Sequence, residues 1–384
     1  MKKLITLFFL CAFIIHVNAG TTVTGSIHSG GLVRTYRLYI PSIYNPNNPA
    51  CPLILNLHGY TSNASDQQLY TNFMPIADTA NFLMVYPQGT VDNTNTTFWN
   101  AGVNNGLVDD VGFLSNLIDT LKTNYNIDLN RVYSTGFSNG GFMSHVLACA
   151  LNNKIAAIAS VSGTFFTYQF PYHPGKGVPV MQIHGTADPT VPYNGETNVV
   201  SVDSTVAFWV NNNNCNTTPI FNAVPNTSTT DLCTAEHYVY TNGTNNSTVE
   251  FFKIIGGEHS WPGAINIGVV TNEDFKASSE IWRFFNQHTL SQTTEIIENL
   301  SQTNLTLYPN PANGSFALEL TLSKEENTNL NVLNSFGQLV FTENHSFVSG
   351  NNKVTIDLTN KPKGIYFVKV NTASTVLTKT VVVE

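Results

Sequence analysis

Charge is scarce in this chain. Lysine, arginine, aspartate and glutamate together make up 11% of it, the 17 Lys and Arg are outnumbered by 25 acids, and the formal net charge is −8. No basic stripe runs anywhere along the sequence, which excludes nucleic acid as the partner. Long hydrophobic runs are missing too: beyond the run from Leu4 to Ile15, itself too short to span a bilayer, no second hydrophobic segment follows. Cysteine is rare, at 5 in 384 residues, and neither it nor the 10 histidines show the spacing of a zinc site. No metal and no cofactor is expected. Asn and Thr fill the place of charge, and an apolar share of 42% is enough for a packed core.

The N-terminus reads as a secretory signal over residues 1–19: Lys2 and Lys3, the apolar run, then Val17-Asn18-Ala19 before a small residue. Its removal would take the formal charge from −8 to −10 by deleting two lysines. A lipoprotein cleaved at Cys11 would keep too little hydrophobic region ahead of the cut. Export lets thiols pair. Cys215 and Cys233 flank a polar Asn/Thr/Pro stretch with little core of its own, so a bridge between them is expected to close a loose loop. Cys51 opens an apolar strand and Cys149 lies on a helical stripe, so both read as small buried residues.

Residues 20–289 alternate strands with helices. Thr22 to Ile27 and Val33 to Ile40 form a leading hairpin; Pro52 to Leu57, Phe82 to Tyr86, Val132 to Thr135, Ile155 to Val161, Val178 to Ile183 and Val249 to Ile255 read as core strands. Helices are expected over Gln67 to Ala80, Val111 to Tyr125, Gly141 to Leu151, Val199 to Val210 and Asp274 to Gln287. Strands separated by helices give an α/β fold with a mostly parallel sheet, whose functional loops sit at the carboxyl ends of strands. Residues 290–304 are polar and read as a linker. From 305 to 384 only strand-like alternation broken by turns remains, as at Phe316 to Leu320, Leu330 to Leu333, Val354 to Asp357 and Tyr366 to Val370, which describes a small all-β sandwich.

The chemistry centres on Gly136-Phe137-Ser138-Asn139-Gly140. A strand-like run precedes it and a helical stripe follows, the setting in which a sharp turn lifts a serine hydroxyl clear of the sheet. In chain order the architecture then requires an acid and a histidine on later loops. Asp188 follows the strand ending at Ile183, and His259 follows the strand ending at Ile255, so Ser138, Asp188 and His259 are the candidate nucleophile, acid and base. Asp188 before a proline also suits a plain turn, Glu258 is a second candidate acid, and His145 is the rival histidine nearest in sequence. The backbone N–H groups of Asn139 and of Tyr60, on the loop Leu57-His58-Gly59-Tyr60-Thr61, are the candidate oxyanion donors, against a reading of His58-Gly59 as a turn alone. Trp99 and Trp261 are candidate substrate-binding aromatics, with ordinary packing as the alternative.

LNLHGY, FWN, VDDVGF, YSTGFSNGGFMSHVLAC, HGTADPTVPY and GGEHSWPG, in that order, resemble the secreted esterase family that groups polyhydroxybutyrate depolymerases with feruloyl and acetylxylan esterases. The resemblance implies an α/β-hydrolase fold with the triad and oxyanion donors named above, and a tyrosine at position 60 departs from the smaller or sulfur-bearing residue of many relatives. LYPNPANGSF, VLNSFGQLV, KGIYFVKV and KTVVVE resemble the C-terminal sorting domain of type IX secretion, which implies export to the cell surface or medium and the type IX machinery as a partner. A carbohydrate-binding sandwich is the competing reading of that tail, weakened by its lack of tryptophan. The expected function is a secreted serine carboxylic-ester hydrolase acting on plant or algal polysaccharide esters. A polyester, poly(3-hydroxybutyrate), is the alternative substrate, and a non-catalytic binding protein on a hydrolase scaffold the alternative of another class.

Overall fold

A computed structural model describes residues 19–102, 108–169, 174–290, 305–322, 324–334, 338–371 and 376–384. The signal expected over 1–19 and the linker over 290–304 lie outside the described residues except for their terminal positions 19 and 290. The chain divides into two compact units, Met1–Ser291 and Gln292–Glu384. No helix among the described residues is long and apolar enough to cross a membrane.

The first unit is organised by one sheet of ten strands: β1 Thr21–Ser29, β2 Leu32–Ile40, β3 Cys51–Leu57, β4 Leu83–Pro87, β7 Ile127–Phe137, β8 Ala157–Val161, β9 Val180–Gly185, β10 Ile220–Ala223, β11 Thr234–Tyr240 and β12 Val249–Ile255, with a separate two-stranded hairpin of β5 Thr90–Val91 and β6 Thr97–Phe98. The strand order is β1-β2-β4-β3-β7-β8-β9-β12-β11-β10. The six strands from β4 to β12 run parallel, and antiparallel pairs finish both edges. Every residue of β3, β4, β8 and β9 is buried, which is why these stretches are mainly apolar: a parallel sheet is covered on both faces.

Six α-helices among the described residues supply the cover: α1 Ala64–Thr71, α2 Met74–Ala80, α3 Asp110–Asn124, α4 Asn139–Ala150, α5 Val202–Asn212 and α6 Ala277–Phe285. Phe113 and Leu117 of α3, Leu147 of α4 and Trp209 of α5 pack with Leu53 and Leu55 on one face. Ala77 of α2 and Ile281 and Phe285 of α6 pack with Ile54 and Met84 on the other. The single helix expected over Gln67 to Ala80 is two, because Asn72 closes α1 in the left-handed region with φ 43° and Pro75, which has no N–H to give to Thr71, cannot extend it. Strands β10 and β11 were not anticipated.

These two faces overturn the expected Cys215–Cys233 bridge. All four described cysteines are free and buried. Cys215 belongs to the core on the α3, α4 and α5 face and Cys233 to the core on the other, so the sheet lies between their sulfurs. A bridge needs Cα atoms within about 7 Å and side chains that converge.

The second unit is a sandwich of a three-stranded sheet, β13 Leu305–Tyr308, β14 Ser315–Leu322 and β17 Gly350–Asp357, with a four-stranded sheet of β15 Glu326–Asn334, β16 Leu339–Phe347, β18 Gly364–Asn371 and β19 Val376–Val383. Strand β14 buries every second residue, and Phe316, Leu318 and Leu320 meet Leu330, Val332, Val368 and Val370 in one core.

Candidate active site

Strand β7 and helix α4 meet at Ser138, whose backbone sits at φ 54° and ψ −120°. A non-glycine residue held there stores strain of about 1–3 kcal/mol, and the surroundings must enforce it. They do so through three hydrogen bonds: the Ser138 N–H donates to Val161 O at 2.8 Å, and the N–H groups of Gly141 and Phe142 donate to Ser138 O at 2.8 and 3.0 Å. The flanking glycines allow the crossing. A Cβ on Gly136 would stand 2.5 Å from the Gly140 carbonyl, and one on Gly140 only 2.1 Å from Leu57 O.

Asp188 and His259 leave the carboxyl ends of β9 and β12, which are neighbours in the sheet. His259 Nδ1–H donates to Asp188 Oδ2 at 2.7 Å. The other carboxylate oxygen, Oδ1, accepts the N–H groups of Thr190 at 2.8 Å and Val191 at 2.9 Å. Burial alone would raise the Asp188 carboxyl, but the hydrogen bond and charge of His259 and the Val191 N–H outweigh it and hold the group below its ordinary value. The His259 ring packs 4.7 Å from that of Phe137, the residue before Ser138. No hydrogen bond between Ser138 Oγ and His259 is formed among the described residues, a common condition of an unliganded hydrolase. Glu258 is spent elsewhere, accepting the Val270 N–H at 2.9 Å, and His145 is fully buried with both ring nitrogens bonded to Gln182 and Trp209.

The loop after β3 brings Gly59 against the nucleophile; a Cβ there would stand 3.5 Å from that of Ser138. His58, on the candidate oxyanion loop, has no role read from the sequence, yet it is buried and doubly bonded. The Gly89 N–H donates to His58 Nε2 at 2.9 Å, so Nε2 is the acceptor and Nδ1–H donates to Gly59 O at 2.8 Å. The Gly59 carbonyl and the Tyr60 N–H share one trans peptide plane, so anchoring the first aims the second the opposite way. Burial lowers His58 to about 4, which keeps it neutral in this role. The N–H groups of Tyr60 and Asn139 are not taken up by any other described residue. The Tyr60 ring is half exposed and its hydroxyl donates to Asp92 at 2.8 Å, across to the β5–β6 hairpin.

Trp99 and Trp261 are corrected by their burial: each is 1% exposed, with its indole N–H bonded inside the protein. Trp99 Nε1–H donates to His58 O at 3.0 Å, its backbone is held on both sides by the Asn139 amide at 2.6 and 3.1 Å, and its ring stacks on Phe113. Trp261 donates through Nε1 to Ser278 and through its backbone to the Tyr70 hydroxyl, both at 3.0 Å. Neither ring offers a face to a ligand; both brace loops from behind. A further exposed aromatic, Tyr168, lies on the loop after β8. Phe142 of α4, whose N–H binds Ser138 O, stacks on Phe166 at 4.5 Å, and Phe166 stacks on Tyr168 at 5.4 Å with planes 9° apart. Tyr168 is 52% exposed. The aromatic density of TFFTYQF was the available signal.

A family model described as Phospholipase/Carboxylesterase matches residues 38–242, and one described as Secretion system C-terminal sorting domain matches residues 306–384. The chain is 36% identical over 164 residues to a bifunctional acetylxylan esterase/xylanase of Neocallimastix patriciarum, covering 42% of this chain and 22% of that one. It is 33% identical over 208 residues to feruloyl esterase D of Neurospora crassa, with coverages of 51% and 64%. Over 116 residues it is 30% identical to poly(3-hydroxyalkanoate) depolymerase C of Paucimonas lemoignei, with coverages of 29% and 28%. The match thus spans less than two thirds of each of these relatives.

Proposed function

The chain belongs to the phospholipase/carboxylesterase family, and from that membership we propose that it is a serine esterase using Ser138, Asp188 and His259 on polysaccharide esters outside the cell. The observation that carries this reading is the Asp188–His259 hydrogen bond of 2.7 Å beside a strained serine turn. Ser138 Oγ attacks the ester carbonyl while His259 Nε2 takes its proton; Asp188 holds the Nδ1–H tautomer and steadies the imidazolium. The carbonyl oxygen becomes an oxyanion facing the Tyr60 and Asn139 N–H groups. As the tetrahedral adduct collapses, His259 returns the proton to the leaving alcohol, and water then releases the acid from Ser138 by the same steps.

The stacked Phe166–Tyr168 pair gives a flat apolar surface suited to an aromatic acyl group or a sugar ring, which together with the feruloyl and acetylxylan relatives favours the polysaccharide ester over the polyester. The sorting-domain match supports reading the second unit as an export module, which weighs against a role in binding an insoluble polymer. The test is hydrolysis of p-nitrophenyl acetate, methyl ferulate, acetylated xylan and suspended poly(3-hydroxybutyrate) by the purified protein and its Ser138→Ala variant. Turnover lost by about 10⁴-fold in the folded variant is expected. Equal turnover by both proteins would remove Ser138 as the nucleophile, no turnover by either would leave the scaffold as a binding protein, and clearing of the polyester without release of ferulate or acetate would reverse the substrate.

A further inference from the structure

A line of buried polar side chains runs through the core to the back of Asp188. Trp209 of α5, His145 of α4 and Gln182 and His184 of β9 are each at most 1% exposed. The direction of every proton along it follows from chemistry. An indole N–H can only donate, so at 3.0 Å from Trp209 Nε1 the ring atom His145 Nδ1 is an acceptor. Neutral His145 therefore carries its hydrogen on Nε2 and donates to Gln182 Oε1 at 3.1 Å. The Gln182 amide nitrogen is then the donor, to Gly163 O at 2.9 Å and, more loosely, towards His184 Nδ1 at 3.4 Å. His184 carries its hydrogen on Nε2, where it donates to Val191 O at 2.9 Å and lies 3.5 Å from Asp188 Oδ2.

The far end agrees with the near one, since the carbonyl of Val191 and the carboxylate can only accept. In the opposite tautomer the His184 Nε2 lone pair would face two acceptors in a dry interior, a repulsive arrangement. The histidines stay neutral: burial lowers His145 to about 4 and pushes His184 down as well. So the helix that carries Ser138 is linked to the loop that carries the acid by four side chains with no exposed member. The mechanism above uses none of them.

We propose that His184 is a positioning residue for Asp188: its Nε2–H, fixed in that tautomer by the Trp209–His145–Gln182 line, sits beside Oδ2 and keeps the carboxylate aimed at His259 Nδ1. The Thr190 and Val191 N–H groups hold Oδ1, and Val191 O is itself tied to His184, so the same ring fixes both the turn that grips one oxygen and the surroundings of the other. A carboxylate free to rotate would share its time between His259 and other partners, and the base would lose its orientation for part of each cycle.

This inference rests on Asp188 and His259 being acid and base, which Asp188→Asn tests separately. The relay is tested by His184→Leu, which keeps the volume and removes the donor, and His184→Gln, whose amide nitrogen reaches the Nε2 position. His184→Leu should lower kcat on p-nitrophenyl acetate by about tenfold or more with KM within about twofold, and shift the far-downfield proton resonance of His259 Nδ1–H. His184→Gln should restore kcat to within about threefold of the parent. If the leucine variant does not fold, His184→Asn takes its place, since its amide stops where Nδ1 stood and cannot reach Asp188. An inactive Asp188→Asn beside an unimpaired His184→Leu would overturn the relay alone. Equal losses in the leucine and glutamine variants, with the resonance unmoved, would reduce His184 to a shape in the core.

Discussion

Replacing Asp188 by Asn has an outcome that the local hydrogen bonds dictate. Oδ1 accepts two backbone N–H groups, from Thr190 and Val191, so the amide oxygen of the asparagine must take that place. Its NH₂ group then occupies the position of Oδ2, 2.7 Å from His259 Nδ1, and turns that nitrogen from donor to acceptor. The imidazole hydrogen moves to Nε2, where a free lone pair is needed to take the proton of Ser138. The base is present and correctly placed but in the wrong tautomer, a defect that costs on the order of 10⁴ in kcat, or about 5.4 kcal/mol at 1.36 kcal/mol per decade. Stability should change far less, by about 1–2 kcal/mol, because the Thr190 and Val191 N–H groups keep an oxygen acceptor and His184 Nε2–H keeps Val191 O, while the charge assistance and the nearby Oδ2 are lost. The assay is steady-state hydrolysis of p-nitrophenyl acetate alongside a thermal melt. Glu258→Gln is the control, since a glutamine oxygen can still accept the Val270 N–H, and it should stay within about twofold of the parent. A folded Asp188→Asn protein within about tenfold of parental kcat would refute the reasoning.

Three further outcomes follow from other parts of the molecule. Tyr168→Ala should lower kcat/KM for methyl ferulate by about tenfold while sparing p-nitrophenyl acetate, because only the larger acyl group reaches the aromatic shelf; equal effects on both would remove the shelf from specificity. Gly140→Ala should cost about 3 kcal/mol or more and lower the melting temperature, since the new methyl would meet Leu57 O at 2.1 Å and His58 O at 2.8 Å, both backbone atoms. His58, His145 and His288 are each lowered by burial to about 4, so their contribution to stability is complete above the ordinary histidine value of about 6.5 and is lost as the pH falls towards 4. Over that window these three histidines bind up to three more protons in the unfolded chain, a slope of up to about 4 kcal/mol per pH unit from them alone that denaturation midpoints at pH 7, 6 and 5 would measure, and a flat profile would contradict.

What could be read in advance, and what could not, divides along a physical line. Uniformly apolar stretches such as Leu53-Ile54-Leu55 announce a strand buried on both faces whatever its neighbours are, and Gly136 and Gly140 announce a close crossing because only the lack of a Cβ allows one. Both statements concern a residue and its own backbone. The bridge between Cys215 and Cys233 and the stacking roles of Trp99 and Trp261 failed because they depend on which side of a sheet or loop a side chain faces, and nearness in sequence to a functional motif carries no such information. Strands β10 and β11 were missed for a related reason: Thr234–Tyr240 is half-buried and of mixed polarity, with Glu236 and His237 on an antiparallel edge, so neither periodicity stands out. One signal was present and went unread. In Val180-Met181-Gln182-Ile183-His184-Gly185 all six residues are buried, and Gln182 and His184 are two apart, hence on one face of a strand that the parallel sheet must cover. Two polar side chains on the covered face of a central strand require partners inside the core. That strand also ends at the loop bearing the candidate acid, so the requirement points from sequence pattern to the back of the active site, where His145 and Trp209 supply the partners.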